Sequence, residues 1–190
     1  TIGSTLPEFG KQSGALRFID ISGFRSHAVM STAGGQVALY NTSEAAQSGD
    51  LPVAAEEVAD IGGTVTSLAV GTDLDTPMIA LGSWLAGEDG GTLHLIRAAT
   101  LEVRATIEAG PVLGVTMVDL NRDGIDEVLV GTQDGYLKAF DMQGEQVLEW
   151  SAGDLQLAEN GAIFAHDDGE HILVAFAVAG GFRVLAIGDE

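Results

Sequence analysis

Four times along the chain, a two-residue turn ending in glycine leads into a short run rich in β-branched and aromatic residues. Gly34 and Gly35 precede Gln36 to Tyr40, Gly90 and Gly91 precede Thr92 to Ile96, Asp134 and Gly135 precede Tyr136 to Phe140, and Gly180 and Gly181 precede Phe182 to Ile187. Two-residue hairpins need backbone with φ > 0, which glycine supplies without a Cβ penalty. Upstream of these turns, apolar segments start at Ala28, Ile79, Val128 and Ile172, at intervals of 51, 49 and 44 residues. Further strand-like runs come before them, at Leu16 to Ile21, Val65 to Val70, Leu113 to Asp119 and Ala162 to Ala165. After the third run, Val53 to Val58, Val103 to Glu108 and Val147 to Trp150 offer a fourth strand to the first three units. Such a repeat buries little by itself, so stability requires neighbouring units to stack.

Short strands at regular spacing, with no long helical pattern, predict an all-β fold: a β-propeller of four blade-like, four-stranded antiparallel repeats. The units run over approximately 14–60, 61–109, 110–152 and 153–190 of a single domain, as a four-bladed ring or as part of a larger propeller. The last unit ends too soon for an outer strand, so residues 1–9 are expected to complete that blade. A β-sandwich is the alternative. A hydrophobic content of 46% over 190 residues supplies enough apolar surface for one sizeable core.

The segment from Asp119 to Glu127 carries the most specific chemistry. Asp119, Asn121 and Asp123 occupy loop positions 1, 3 and 5, Gly124 follows at position 6, and Glu127 stands at position 9. With the Ile125 carbonyl turned inward by Gly124, these residues offer the hard oxygen shell that Ca²⁺ takes at about 2.3–2.6 Å. The same opening occurs in EF-hands, but those need a Glu at position 12, where this chain has Val130. Strands, not helices, flank the loop.

In Asp119, Asn121, Asp123, Gly124 and the apolar run Val128 to Gly131, the chain resembles the FG-GAP or integrin-α-type (VCBS-like) propeller repeats, best over residues 110–150. Glu127 stands where the family more often has Asp. The other units depart from the pattern: Asp20, Ser22 and Phe24 offer too few ligands, and Gly71, Asp73 and Asp75 precede a truncated loop. The resemblance implies one Ca²⁺ site of structural character, cross-linking two strands of a blade. Asp126 reads as a bystander that strengthens the negative field.

Eight basic residues against 28 acidic ones give a formal net charge of −20, which repels phosphate backbones and anionic lipid. Nucleic acid is therefore excluded as an expected partner. No run of about 18 apolar residues is present for a membrane span, and the N-terminus lacks a basic-then-apolar signal pattern. The chain has no cysteine, which removes disulfides and thiolate chemistry.

Two further segments stand out. Between the second and third strands of unit two, 12 residues separate Ile79 from Gly91, where 7 separate Val128 from Gly135. Trp84, Leu85 and Glu88 are read as part of the resulting insertion and form the candidate partner-binding loop, since aromatic anchors dominate interface hot spots. His166, Asp167, Asp168, Glu170 and His171 form a polar turn whose His and carboxylate groups suit zinc or another transition metal, while a tight hairpin explains Asp168 and Gly169 without one. His27 and His94 are expected to be ordinary strand residues. No nucleophile elbow, H-E-x-x-H pair or phosphate-cradling loop is found. The expectation is a non-enzymatic calcium-binding module for a protein partner or larger assembly, in an extracellular, cell-surface or periplasmic setting, with oligomerisation through an open sheet edge available to it. A carbohydrate-binding propeller using Trp84 or Trp150 is the alternative, and a polysaccharide lyase or hydrolase is a more distant one.

Overall fold

The computed structural model describes residues 16–19, 27–32, 34–42, 57–84, 90–151, 162–178 and 180–187. They form four antiparallel sheets, each following chain order from one edge to the other. Blade 1 comprises β1 (Leu16–Ile19), β2 (His27–Ser31), β3 (Gln36–Asn41) and β4 (Glu57–Asp60). Blade 2 comprises β5 (Val65–Asp73), β6 (Thr76–Trp84), β7 (Gly91–Arg97) and β8 (Val103–Glu108). Blade 3 comprises β9 (Val112–Val118), β10 (Glu127–Thr132), β11 (Tyr136–Phe140) and β12 (Gln146–Ser151). Blade 4 comprises β13 (Ile163–Asp167), β14 (Ile172–Val178) and β15 (Gly181–Ile187). The segment 1–9, expected to finish blade 4, lies outside the described residues, as does the expected start of the outer strand of blade 1 at Val53.

The first strands of the blades pack in series, β1 on β5, β5 on β9 and β9 on β13, and no comparable packing joins β13 to β1 among the described residues. Alternation of side chains along each middle strand then divides its apolar residues between two neighbours. In β6, Ile79 and Leu81 face blade 1 and join Val29, Val37 and Leu39, whereas Met78 and Ala80 face blade 3 and join Val115, Val128 and Val130. In blade 3, Leu129, Leu137 and Ala139 face blade 4 and meet Ile163, Ile172, Val174 and Phe176. Middle strands covered on both faces read as continuous apolar runs. Full burial of each large aliphatic residue contributes roughly 1.5–3 kcal/mol. In the outer strand β8 no residue is buried, and Ala105 and Ile107 turn half-buried side chains to the core because only one of its faces is covered.

The hairpin glycines behave as the sequence predicts at two informative positions. Gly35 and Gly135 have φ of 84° and 86°, and a Cβ at Gly35 would strike the Gly62 backbone. Trp84 departs from expectation. It closes β6, paired opposite Gly91, so Trp84 belongs to the strand and not to the inserted loop. Continuing β6 that far satisfies the ladder and leaves the Trp84 amide to donate to the Thr64 carbonyl at 3.0 Å.

Candidate functional site

Strands β9 and β10 are joined by Asp119–Asp126, the sequence-predicted metal loop. Its polar side chains first satisfy the loop backbone. Asp119 accepts from the amides of Asp123 at 3.1 Å and Gly124 at 2.7 Å, Asn121 Oδ1 accepts from Asp123 N at 2.9 Å, and Asp123 Oδ1 accepts from Ile125 N at 2.9 Å. Arg122 and Gly124 take φ of 62° and 88°, so the chain winds through two left-handed residues and brings the alternate side chains to one side. The Ile125 side chain packs against the core between blades 2 and 3, anchoring the loop from beneath.

Glu127 is the first residue of β10 and only 5% exposed. Its Oε2 accepts from Leu120 N at 2.7 Å, and Oε1 lies 3.3 Å from the Asn121 amide nitrogen, which also donates to Asp123 Oδ2 at 3.1 Å. Burial first, and then the charges of Asp123 and Asp119, raise the Glu127 pKa above its ordinary 4.5. Asp119, Asn121, Asp123 and Glu127 are thus brought together, and burial foremost, with the neighbouring carboxylates second, disfavours the charged form of Glu127. This all-oxygen donor set fits a hard divalent cation. Among the described residues no three His, Cys, Asp or Glu side chains converge to hold an ion by themselves, and in this loop the Asn121 amide mediates between Asp123 and Glu127.

The loop is tied to both neighbouring blades. Asp126 faces blade 2, where Oδ2 accepts from Thr72 N at 2.7 Å, while Asp126 N donates to Thr72 O at 2.9 Å and Ile125 bridges Asp73. This corrects the reading of Asp126 as a bystander. It clamps two blades, and burial raises its pKa above 3.8. Close approach at this seam requires Gly71, where a Cβ would collide with Asp126 and Met117. On the other side, Arg122 Nη2 donates at 3.1 Å to Oδ1 of Asp167, the last residue of β13, where the β13–β14 turn of blade 4 begins.

That turn is held by its own Asx bonds. Gly169 N donates to Asp167 at 2.8 Å, and the amides of Glu170 and His171 donate to Asp168 at 2.9 and 2.7 Å. These amides are the main cause of pKa values below the ordinary 3.8 for both aspartates. The corresponding turn of blade 2 is tighter still, with Asp73 paired to Thr76 around Leu74 at φ 52° and to the Arg104 guanidinium from β8.

Trp84 is half-buried and packs against the core between blades 3 and 4. Trp150 joins the same core edge-on to Phe176, at a ring separation of 5.7 Å. Leu85 and Glu88 lie outside the described residues. His94 is buried beside Thr106, its pKa lowered by burial. The pairings of Thr72 with Asp126 and of Asp167 with Arg122 carried no signal in the sequence, because 54 and 45 residues separate the partners.

Sequential stacking of antiparallel sheets around their first strands defines the chain as a β-propeller. No protein-family model matches it, and neither does any curated protein. Solved propellers do. Sqt1 from Saccharomyces cerevisiae superposes with a TM-score of 0.68 at 12% identity, over 92% of this chain and 45% of that one. BamB from Moraxella catarrhalis gives 0.60 at 17% identity, covering 93% of this chain and 48% of that one. BBS1N, solved in complex with ARL6DN, gives 0.62 at 20% identity, covering 91% and 52%. The chain thus spans about half the length of the solved structures it matches.

Proposed function

We propose that this chain is a non-enzymatic, calcium-binding propeller module that offers its loops to a protein partner or a larger assembly. The supporting observation is the double tether of the 119–127 loop, through Asp126 to Thr72 in blade 2 and through Arg122 to Asp167 in blade 4. Asp119, Asn121, Asp123, the Ile125 carbonyl and Glu127 would hold the ion. Bound Ca²⁺ would supply positive charge to a loop whose carboxylates repel one another. The chain's own residues do the remaining work: Asp119 and Asn121 fold the loop over its own amides, Ile125 seats it on the core, and Asp126 carries its position across the blade seam. A loop fixed in this way keeps three consecutive blade turns in one arrangement, as a rigid recognition surface requires.

The protein-partner reading draws support from BBS1N, whose structure was solved in complex with ARL6DN. No observation favours the carbohydrate reading, since Trp84 and Trp150 both pack against the core between blades 3 and 4. The test is thermal unfolding of chelator-stripped protein with added Ca²⁺ or Mg²⁺, beside Asp123→Ala. A Tm raised by Ca²⁺ in the parent and not in the variant is expected, because a ligand that binds only the native state stabilises it by mass action. An equal response of both proteins would sink the calcium assignment.

A further inference from the structure

The turns between the first and second strands of blades 2, 3 and 4 treat their carboxylates differently. In blade 2, Asp73 is paired to the Arg104 guanidinium from β8, and its side chain is only 20% exposed. In blade 4, Asp167 Oδ1 accepts from Gly169 N at 2.8 Å and from Arg122 Nη2 at 3.1 Å. In blade 3, among the described residues, no ion pair reaches Asp119, Asp123 or Glu127. Yet that loop carries a cation of its own. Arg122 stands between Asn121 and Asp123 and is the one basic residue between Arg104 and Lys138. Its guanidinium is turned out of the loop and across the seam to blade 4. A guanidinium matches carboxylates well and rides on a long flexible stem, and attachment to the same loop makes its contact with Asp119 or Asp123 intramolecular, which favours it over a cation in solution. The acceptor that draws it away is fixed by the sheet. Asp167 closes β13 in register with Ile172 of β14, and the Gly169 amide holds the same oxygen that Arg122 uses.

We propose that Asp167 is a positioning residue for the cation loop: by holding the Arg122 guanidinium across the seam, it keeps an internal cation off Asp119, Asp123 and Glu127 and leaves those carboxylates to a divalent ion. This inference rests on the calcium reading of the loop, and it adds to the determinants of ion affinity a residue from another blade, 45 positions from Arg122. The pair acts by sequestering charge. Its side chains are 44% and 40% exposed, so it contributes little to the stability of the fold, and ion binding can change without it. The two halves of the pair therefore have opposite effects. Loss of Asp167 releases the guanidinium onto the carboxylates, where the ion must displace it. Loss of Arg122 removes the competitor altogether. A tether that only stiffened the loop would instead weaken binding equally from either end.

Calorimetric titration of the chelator-stripped full chain with Ca²⁺ tests this by comparing the parent with Asp167→Asn, Arg122→Ala and the double variant. Asparagine keeps an acceptor for Gly169 N but no charge to hold the guanidinium. Asp167→Asn should weaken Ca²⁺ binding about 10-fold, the size of one charge-assisted hydrogen bond that the ion must break. Arg122→Ala should bind at least as tightly as the parent, and the double variant should recover to within about 2-fold of Arg122→Ala. An unchanged Tm without metal checks that each variant is folded. Asp167→Asn within about 2-fold of the parent, an equal loss in Arg122→Ala, or a double variant as weak as Asp167→Asn overturns the inference and leaves the calcium reading standing. A parent that binds no Ca²⁺ in the calorimeter overturns the calcium reading, and the role of Asp167 with it.

Discussion

Blades 3 and 4 both set antiparallel strands in chain order, four in blade 3 and three among the described residues of blade 4, and they differ in what surrounds them. Blade 3 is covered on both faces, so Val128, Leu129 and Val130 are completely buried in consecutive positions. Blade 4 is covered on one face and buries alternate residues of an equally apolar strand. Their turns differ in the same sense. The blade 3 loop gathers carboxylates whose charges oppose one another, and burial with mutual repulsion raises the pKa of Glu127. The blade 4 turn keeps Asp167 and Asp168 in solvent, where backbone amides lower theirs. The same antiparallel arrangement thus carries a loop whose carboxylates crowd one another and a turn whose carboxylates are held by backbone amides.

The contrast in burial is broken most directly at Leu129. Leu129→Ala should destabilise the fold by about 2–5 kcal/mol, the range for truncating a fully buried leucine, whereas Val184→Ala in dilute, monomeric protein should change stability by no more than about 0.5 kcal/mol. Urea unfolding of both variants measures the difference. Comparable losses would mean that the outer face of blade 4 is covered in solution.

The seam between blades 2 and 3 comes next. Asp126→Ala leaves Thr72 N without its acceptor, and Gly71→Ala pushes a methyl group into the same space. Asp126→Ala should cost about 0.5–1.5 kcal/mol, the net worth of one hydrogen bond whose exposed donor water can reach, and Gly71→Ala about 1–3 kcal/mol, the range for overpacking. Asp134→Ala, on an exposed turn away from the seam, serves as the control in the same denaturation series.

Without metal, the raised pKa values of Asp126 and Glu127 set the sign of the pH dependence. The native state holds protons that the unfolded state has already released, so their contribution to stability falls as pH rises from the ordinary values of 3.8 and 4.5 through the raised ones. Added Ca²⁺ should flatten that decline, as followed by Tm in matched buffers. For Asp167 and Asp168 the sign is reversed. Their depressed values contribute stability above the ordinary 3.8 that is lost as pH falls through the folded values.

The smallest effect belongs to the tether between blades 3 and 4. Arg122 and Asp167 side chains are 44% and 40% exposed, and solvent screens pairs of that kind. Arg122→Ala should therefore leave Tm within measurement error at high salt. A larger loss would show that the tether controls the loop.

By itself, the sequence determined the strands and the residues of the loop. Glycine at the turns and β-branched runs between them are local preferences that act over a few residues. For this reason Tyr136 to Phe140 and Val103 to Glu108 form strands over the expected span, and Gly124 takes the positive φ that its place in the loop requires. The end of β6 was less legible. Trp84 follows a Gly-Ser pair that resembles a turn, and only the cross-strand ladder to Gly91 keeps it extended. Tertiary structure alone decided which turns meet. Asp126 reaches Thr72 and Arg122 reaches Asp167 because successive blades stack with their turns side by side, and no local preference can encode a hydrogen bond across that many residues. It also decided which face of each apolar strand is buried, since burial belongs to a pair of neighbouring surfaces and not to the strand that carries the residues.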